Sequence, residues 1–161
     1  MANFRQILKL IAAIALCFVV SGLGLVFTTQ DSITNWYGKL AKPFFTPPDW
    51  LFGPVWTILY LLMAISFFLI WNKGIKHTGV KQAVTWFLIQ LILNAVWTPI
   101  FFRFHLIFAA LIEILLLWIA ILFTFYAFKR VSLYAAVLLI PYIIWVGFAV
   151  VLNGSIWYLN I

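Results

Sequence analysis

The chain has 161 residues, of which 67% are apolar, 20% aromatic and 8% charged, and its mean hydropathy is +1.17. A soluble domain carries about 25% charged residues to wet its surface, so this composition excludes an ordinary aqueous globule and calls for lipid around it. The formal charge of +7 would suggest nucleic acid in a polar chain. Here the basic residues stand between apolar runs, where they orient helices across a bilayer, and no nucleic-acid partner is expected. Cys17 is the one cysteine, which excludes an intrachain disulfide and a Cys-based zinc site.

A helix needs about 20 apolar residues to cross the hydrocarbon core. Five runs reach that length, at 8–28, 51–71, 83–102, 106–128 and 133–152. They are apolar on all sides, as in LIEILLLWIAILFTF, and lack the period of two that marks a transmembrane strand. The expected fold is therefore an all-α integral membrane protein, with residues 1–161 forming one transmembrane domain, a single five-helix bundle. The first run follows Arg5 and Lys9 but has no A-x-A cleavage site and exceeds a signal-peptide core in length, so it reads as a helix. Within it Ala13, Cys17 and Ser21 recur every four residues and form a small-residue face for packing inside the bundle.

The first loop, 29–50, holds Trp36, Tyr37, Phe44, Phe45 and Trp50 together with Pro43, Pro47 and Pro48. Proline fixes φ and withholds a donor, so the loop is expected to be a stiff, non-helical lid over the bundle mouth. The second helix opens on FGPVWTILY, where Pro54 falls in an expected first turn and Trp56 and Tyr60 share a face. In the third, Gln90, Asn94, Trp97 and Phe101 make one stripe, which must face inward because unpaired amides are costly in lipid. The three-residue connection RFH (103–105) predicts an antiparallel hairpin of the third and fourth helices. Glu113 is the acid inside a span and is expected to be neutral or hydrogen-bonded across helices. In the fifth helix Tyr142, Trp145, Ala149 and Asn153 form another stripe, and Pro141 is placed to kink the early turns.

Together the stripes describe an aromatic pocket for a flat, largely apolar ligand, oriented by a few polar groups. There is no phosphate-cradling glycine loop, paired carboxylate, Ser–His couple within a span or Cys in a polar setting. His77 and His105 sit in loops without metal-binding or haem-binding spacing and read as solvated, so no metal and no required cofactor are expected. Arg5, Lys9, Lys73, Lys76, Lys81, Lys129 and Arg130 fall on one side of the membrane and Lys39, Lys42 and Arg103 on the other. The positive-inside rule then predicts a cytoplasmic N-terminus and an external first loop, in a bacterial cell membrane.

Several of these stretches are recognisable. Trp36-Tyr37, Leu40, Lys42-Pro43, Pro47-Pro48, FGPVWTILY (52–60), LNAVWTPIFF (93–102), Glu113 with Trp118, and PYIIWVGFAVVLNGSIWYLN (141–160) occur in order along nearly the whole chain. In this it resembles the tryptophan-rich sensory protein and translocator protein family, also called the peripheral-type benzodiazepine receptor family. The resemblance implies a five-helix bundle, often a homodimer, with a cavity under the first loop for porphyrins such as protoporphyrin IX or haem and for synthetic isoquinoline or benzodiazepine ligands. It carries the family's pocket groups onto Tyr37 and Pro47 of the loop and Trp56 of the second helix. Asn94, Trp97 and Phe101 follow from the third helix, and Trp145, Ala149 and Leu152 from the fifth. A light- and oxygen-dependent breakdown of protoporphyrin, disputed in the family, would use Trp56 and Trp145. Phe45 stands where many members have Trp, loosening one aromatic contact in the lid. Gly154 and Tyr158 replace the tyrosine and basic residue of the animal sterol segment, so cholesterol binding does not carry over. Three functions follow: a porphyrin-binding sensor or carrier, a photochemical porphyrin-degrading activity, and a transporter of porphyrin, sterol or lipid.

Overall fold

A computed structural model describes residues 3–29 and 31–161, so Gln30 of the first loop lies outside the described residues. The helices are α1 (Phe4–Phe27), α2 (Asp49–Asn72), α3 (Val80–Thr98), α4 (Ile107–Val131), α5 (Leu133–Val137) and α6 (Ile140–Leu159). Five spans are long and apolar enough to cross a membrane, α3 counting with the turn that follows it and α5 with α6. α1 packs on α2 and α3, α3 on α4, α4 on α6 and α6 on α2, which closes a ring. The expected α3–α4 hairpin is present.

The departures from the expected spans have local causes, and three of them fall on prolines. The first loop is not non-helical throughout: Ser32–Trp36 forms a π-helical turn and Tyr37–Lys39 a 3₁₀ turn. No proline precedes Pro43 in the loop, so the amides of this stretch are free to donate, and the extended backbone is confined to the proline-rich part. α2 begins at Asp49, not Leu51, which places Pro54 beyond the first turn. There its missing N–H leaves the Trp50 carbonyl without its helical donor. Pro99 ends the regular winding of α3, and Pro99–Arg103 continues as a π-helical turn in which the Phe104 amide bonds the Pro99 carbonyl at 3.0 Å. The last span is broken at Leu138–Leu139, just before Pro141, which has no N–H for the Val137 carbonyl. It then runs to Leu159 and not to Leu152.

One half of the bundle is solid. Phe87 stacks on Phe67 (4.4 Å, 11°) and on Phe128 (5.9 Å, 21°), with Met63, Ala64, Ile70 and Leu139 buried around them. Ser66 of α2 donates to the Ala135 carbonyl at 2.6 Å and fastens α5 there. The turn joining α2 to α3 closes this end, using Gly74 and Gly79 at φ of 90° and 85°, a region L side chains rarely adopt. The other half, under the first loop, is hollow.

Candidate functional site

The hollow is a cavity of about 330 Å³ bounded by all five spans and the first loop, within the size range of small-molecule sites. From α2 it takes Phe52, Gly53, Trp56 and Tyr60, and from α3 Asn94, Trp97, Thr98 and Phe101. α6 supplies Trp145, Ala149, Leu152 and Asn153, and α4 supplies Ile114 and Leu117. Thus Tyr37, Trp56, Asn94, Trp97, Phe101, Trp145, Ala149 and Leu152 are brought together around one space. Pro47 is not: it is half-buried in the extended part of the loop and does not line the cavity. The reason is chain direction, since the loop crosses the mouth through Ile33 and Tyr37 and returns through Asp49.

The walls are rings held by other rings. Trp97 stacks on Phe101 at 5.0 Å and 16°, and Phe52 meets Trp145 edge-on at 5.8 Å across the α2–α6 seam. Trp56 lies 5.6 Å from Tyr60 and 6.4 Å from Tyr142. The Trp97 indole N–H donates to Asn153 Oδ1 at 3.3 Å, and Asn153 Nδ2 donates to the Ile107 carbonyl at 3.1 Å. Asn153 therefore ties α6 to both α3 and α4 through its one amide. The Trp145 indole nitrogen is buried with no partner among the described residues, an N–H left over in the wall.

Beneath the aromatic belt lies a polar chain. The Tyr60 hydroxyl donates to Asn94 Oδ1 at 2.5 Å, Asn94 Nδ2 to the Tyr142 hydroxyl at 2.9 Å, and the Tyr142 hydroxyl to Gln90 Oε1 at 2.9 Å. The inward stripe read from the sequence thus has a partner for each amide, although Gln90 Nε2 is buried without one among the described residues. Of the two expectations for Glu113, the hydrogen bond across helices is not met: it is buried on α4, yet neither carboxyl oxygen has a hydrogen-bond partner among the described residues. Interior placement came from the cost of facing lipid, and the partner inferred from that cost is not supplied by a neighbouring helix.

At the mouth, burial pushes the Tyr37 phenol up to about 12, with the Asp49 carboxylate adding to the effect, so it is a neutral O–H at physiological pH. The Lys42 ammonium sits 3.9 Å from the centre of its ring, a cation–π contact. Trp36 packs on Phe101 at 5.1 Å. His105 is exposed, yet it is not merely solvated, since its ring stacks on Trp36 at 4.2 Å and 16°. Behind the loop, Asn160 near the end of the chain accepts from the Ala41 amide at 3.0 Å and donates to the Ala41 carbonyl at 2.9 Å.

Sequence reasoning missed Asn160, and it missed the α1 wall of Ser21, Gly24, Leu25 and Thr28. That wall continues the Ala13, Cys17, Ser21 face at helical spacing, so the stripe was readable once carried a further turn.

The TspO/MBR family pattern matches residues 13–159. The chain belongs to the TspO/MBR family. It is 45% identical over 157 residues to a tryptophan-rich protein TspO of Chlorobaculum tepidum, covering 97% of this chain and 98% of the relative. A tryptophan-rich protein TspO of Archaeoglobus fulgidus is 41% identical over 155 residues, 96% of this chain and 99% of that one. The human translocator protein is 39% identical over 130 residues, 76% of this chain and 73% of its own length. Family membership and five apolar spans make this TspO/MBR protein an integral, multi-pass membrane protein, and its relatives support a sensor or carrier role in the membrane. None of these three names is that of an enzyme.

Proposed function

We propose that this TspO/MBR protein is a membrane sensor or carrier that binds a flat tetrapyrrole, protoporphyrin IX or haem, in the cavity under its first loop. The observation that carries the reading is the wall itself: indole and phenyl rings of Phe52, Trp56, Trp97, Phe101 and Trp145 surround one space with few polar atoms. Such a wall stacks on a π-face, while a few fixed donors and acceptors orient the ligand. In this reading the N-terminus lies in the cytoplasm and the first loop outside, an orientation that the distribution of Lys and Arg supports.

Titration of the purified protein with protoporphyrin IX in the dark should give saturable quenching of tryptophan fluorescence, and the recovered porphyrin should keep its spectrum after illumination. Quenching that rises linearly without saturation contradicts the reading.

A photochemical role has one observation in its favour: Trp56 and Trp145 line the same cavity, so both indoles would stand beside an excited ligand. In that case Trp56→Phe and Trp145→Phe bind protoporphyrin IX but bleach it more slowly under light and oxygen. Bleaching at the unmodified rate in both variants removes it.

A further inference from the structure

The polar chain beneath the cavity has a direction. Tyr60 and Asn94 line the cavity, whereas Tyr142 and Gln90 lie behind them, 0% and 1% exposed. Each proton in the chain points away from the cavity: Tyr60 to Asn94, Asn94 to Tyr142, Tyr142 to Gln90. In this direction the Tyr60 hydroxyl has spent its proton and offers the cavity only oxygen lone pairs. The far end is wasteful, because Gln90 Nε2 is buried and unpartnered among the described residues, and an unpaired buried donor forfeits the hydrogen bonds it had in water. An apolar residue at 90 would avoid that cost, so the unused amide calls for an explanation.

Hydroxyls and carboxamides are each both donor and acceptor. If the Asn94 and Gln90 amides turn over, oxygen and nitrogen exchange places and the same contacts run the other way. Gln90 Nε2 then donates to Tyr142, Tyr142 to Asn94 Oδ1, and Asn94 Nδ2 to Tyr60. The number of hydrogen bonds within the chain is unchanged, the unpaired atom becomes Gln90 Oε1, and the Tyr60 O–H is released toward the cavity. We propose that Gln90, Tyr142, Asn94 and Tyr60 form a reversible hydrogen-bond relay through which the cavity recognises flat aromatic ligands bearing either a ring N–H or a bare ring nitrogen, with Gln90 and Tyr142 as positioning residues. The proposal rests on the reading of the cavity as a flat-ligand site. Gln90 holds the deciding place because it alone can terminate the chain as an acceptor or start it as a donor.

Carbazole and acridine are the probes: both are flat three-ring molecules, the first presenting an N–H and the second, at mildly alkaline pH, a bare nitrogen. Binding of each to the full chain in nanodiscs, corrected for partition into empty nanodiscs, is measured for four proteins. The unmodified protein binds both. Gln90→Leu removes the present acceptor of the Tyr142 proton and leaves Asn94 Oδ1 as the one acceptor within the chain, which favours the reversed direction. Carbazole affinity then falls about three- to tenfold, the value of one hydrogen bond, while acridine affinity holds. Gln90→Met, of similar length, repeats the effect and guards against misfolding of the leucine variant. In Gln90→Leu/Tyr142→Phe the locking proton is gone, and carbazole binding returns, a rescue that structural damage would not produce. Equal loss of both probes in the Gln90 variants, no loss of either, or a double variant as weak as the single one overturns the relay and leaves the flat-ligand reading standing. If the unmodified protein binds protoporphyrin IX but neither probe, the relay is overturned and the flat-ligand reading stands; if it binds none of the three, both fall.

Discussion

Gly147 of α6 faces the indole of Trp118, and a Cβ built there would stand 3.1 Å from Nε1. The indole has little room to yield, because its N–H is bonded to the Ile143 carbonyl at 3.0 Å. Gly147→Ala is therefore expected to destabilise the bundle by about 1–3 kcal/mol, the usual cost of overpacking, seen as a lower melting temperature in detergent. At the opposite extreme, Asn160 makes exposed hydrogen bonds to Ala41 and buries little. Asn160→Ala should cost about 1 kcal/mol or less while accelerating hydrogen exchange at the Ala41 amide. An unchanged exchange rate would show that the loop is held elsewhere. Trp56, Trp97, Asn94 and Trp145 were legible in the sequence because helical spacing and the cost of polar groups in lipid both turn them inward. Asn160 was not, since its partner lies 119 positions away along the chain and no periodicity links a helix end to a loop. Pro47 went the other way: resemblance carried it to the pocket, and the path of the loop keeps it out of the lining.

Among the elements, helix existence was legible and helix boundaries were not. Apolar length fixes how many crossings there are, whereas the ends depend on where a carbonyl loses its donor. Pro99 and Pro141 each interrupt the winding at a place where hydropathy stays high. Apolar composition alone registers neither. The α2–α3 turn depends on Gly79, whose φ is 85° and whose added Cβ would meet Val131 Cγ2 at 3.2 Å. Gly79→Ala should therefore cost about 1–2 kcal/mol from the left-handed backbone alone, again read from thermal unfolding. A melting temperature equal to that of the unmodified protein would mean that the turn can rewind.

For the molecule as a whole, the two halves of the bundle divide its work. Stacked phenylalanines and α5 make one end solid, and the first loop covers a hollow at the other. The proposed orientation has a direct test: with Cys17 buried, a cysteine at exposed Phe44 should react in intact cells with an impermeant maleimide, and one at exposed Thr78 only after lysis. The reverse pattern would invert the assigned orientation. The central claim is that the aromatic cavity itself takes the ligand. It is tested most directly by filling that space: Ala149→Phe places a ring inside the lining, and Ile144→Phe places the same ring on an outward position that is 66% exposed. Protoporphyrin IX titration should show affinity reduced at least about tenfold, or about 1.4 kcal/mol, in Ala149→Phe and unchanged in Ile144→Phe. Equal, undiminished binding by both variants would place the ligand outside the cavity and contradict the account.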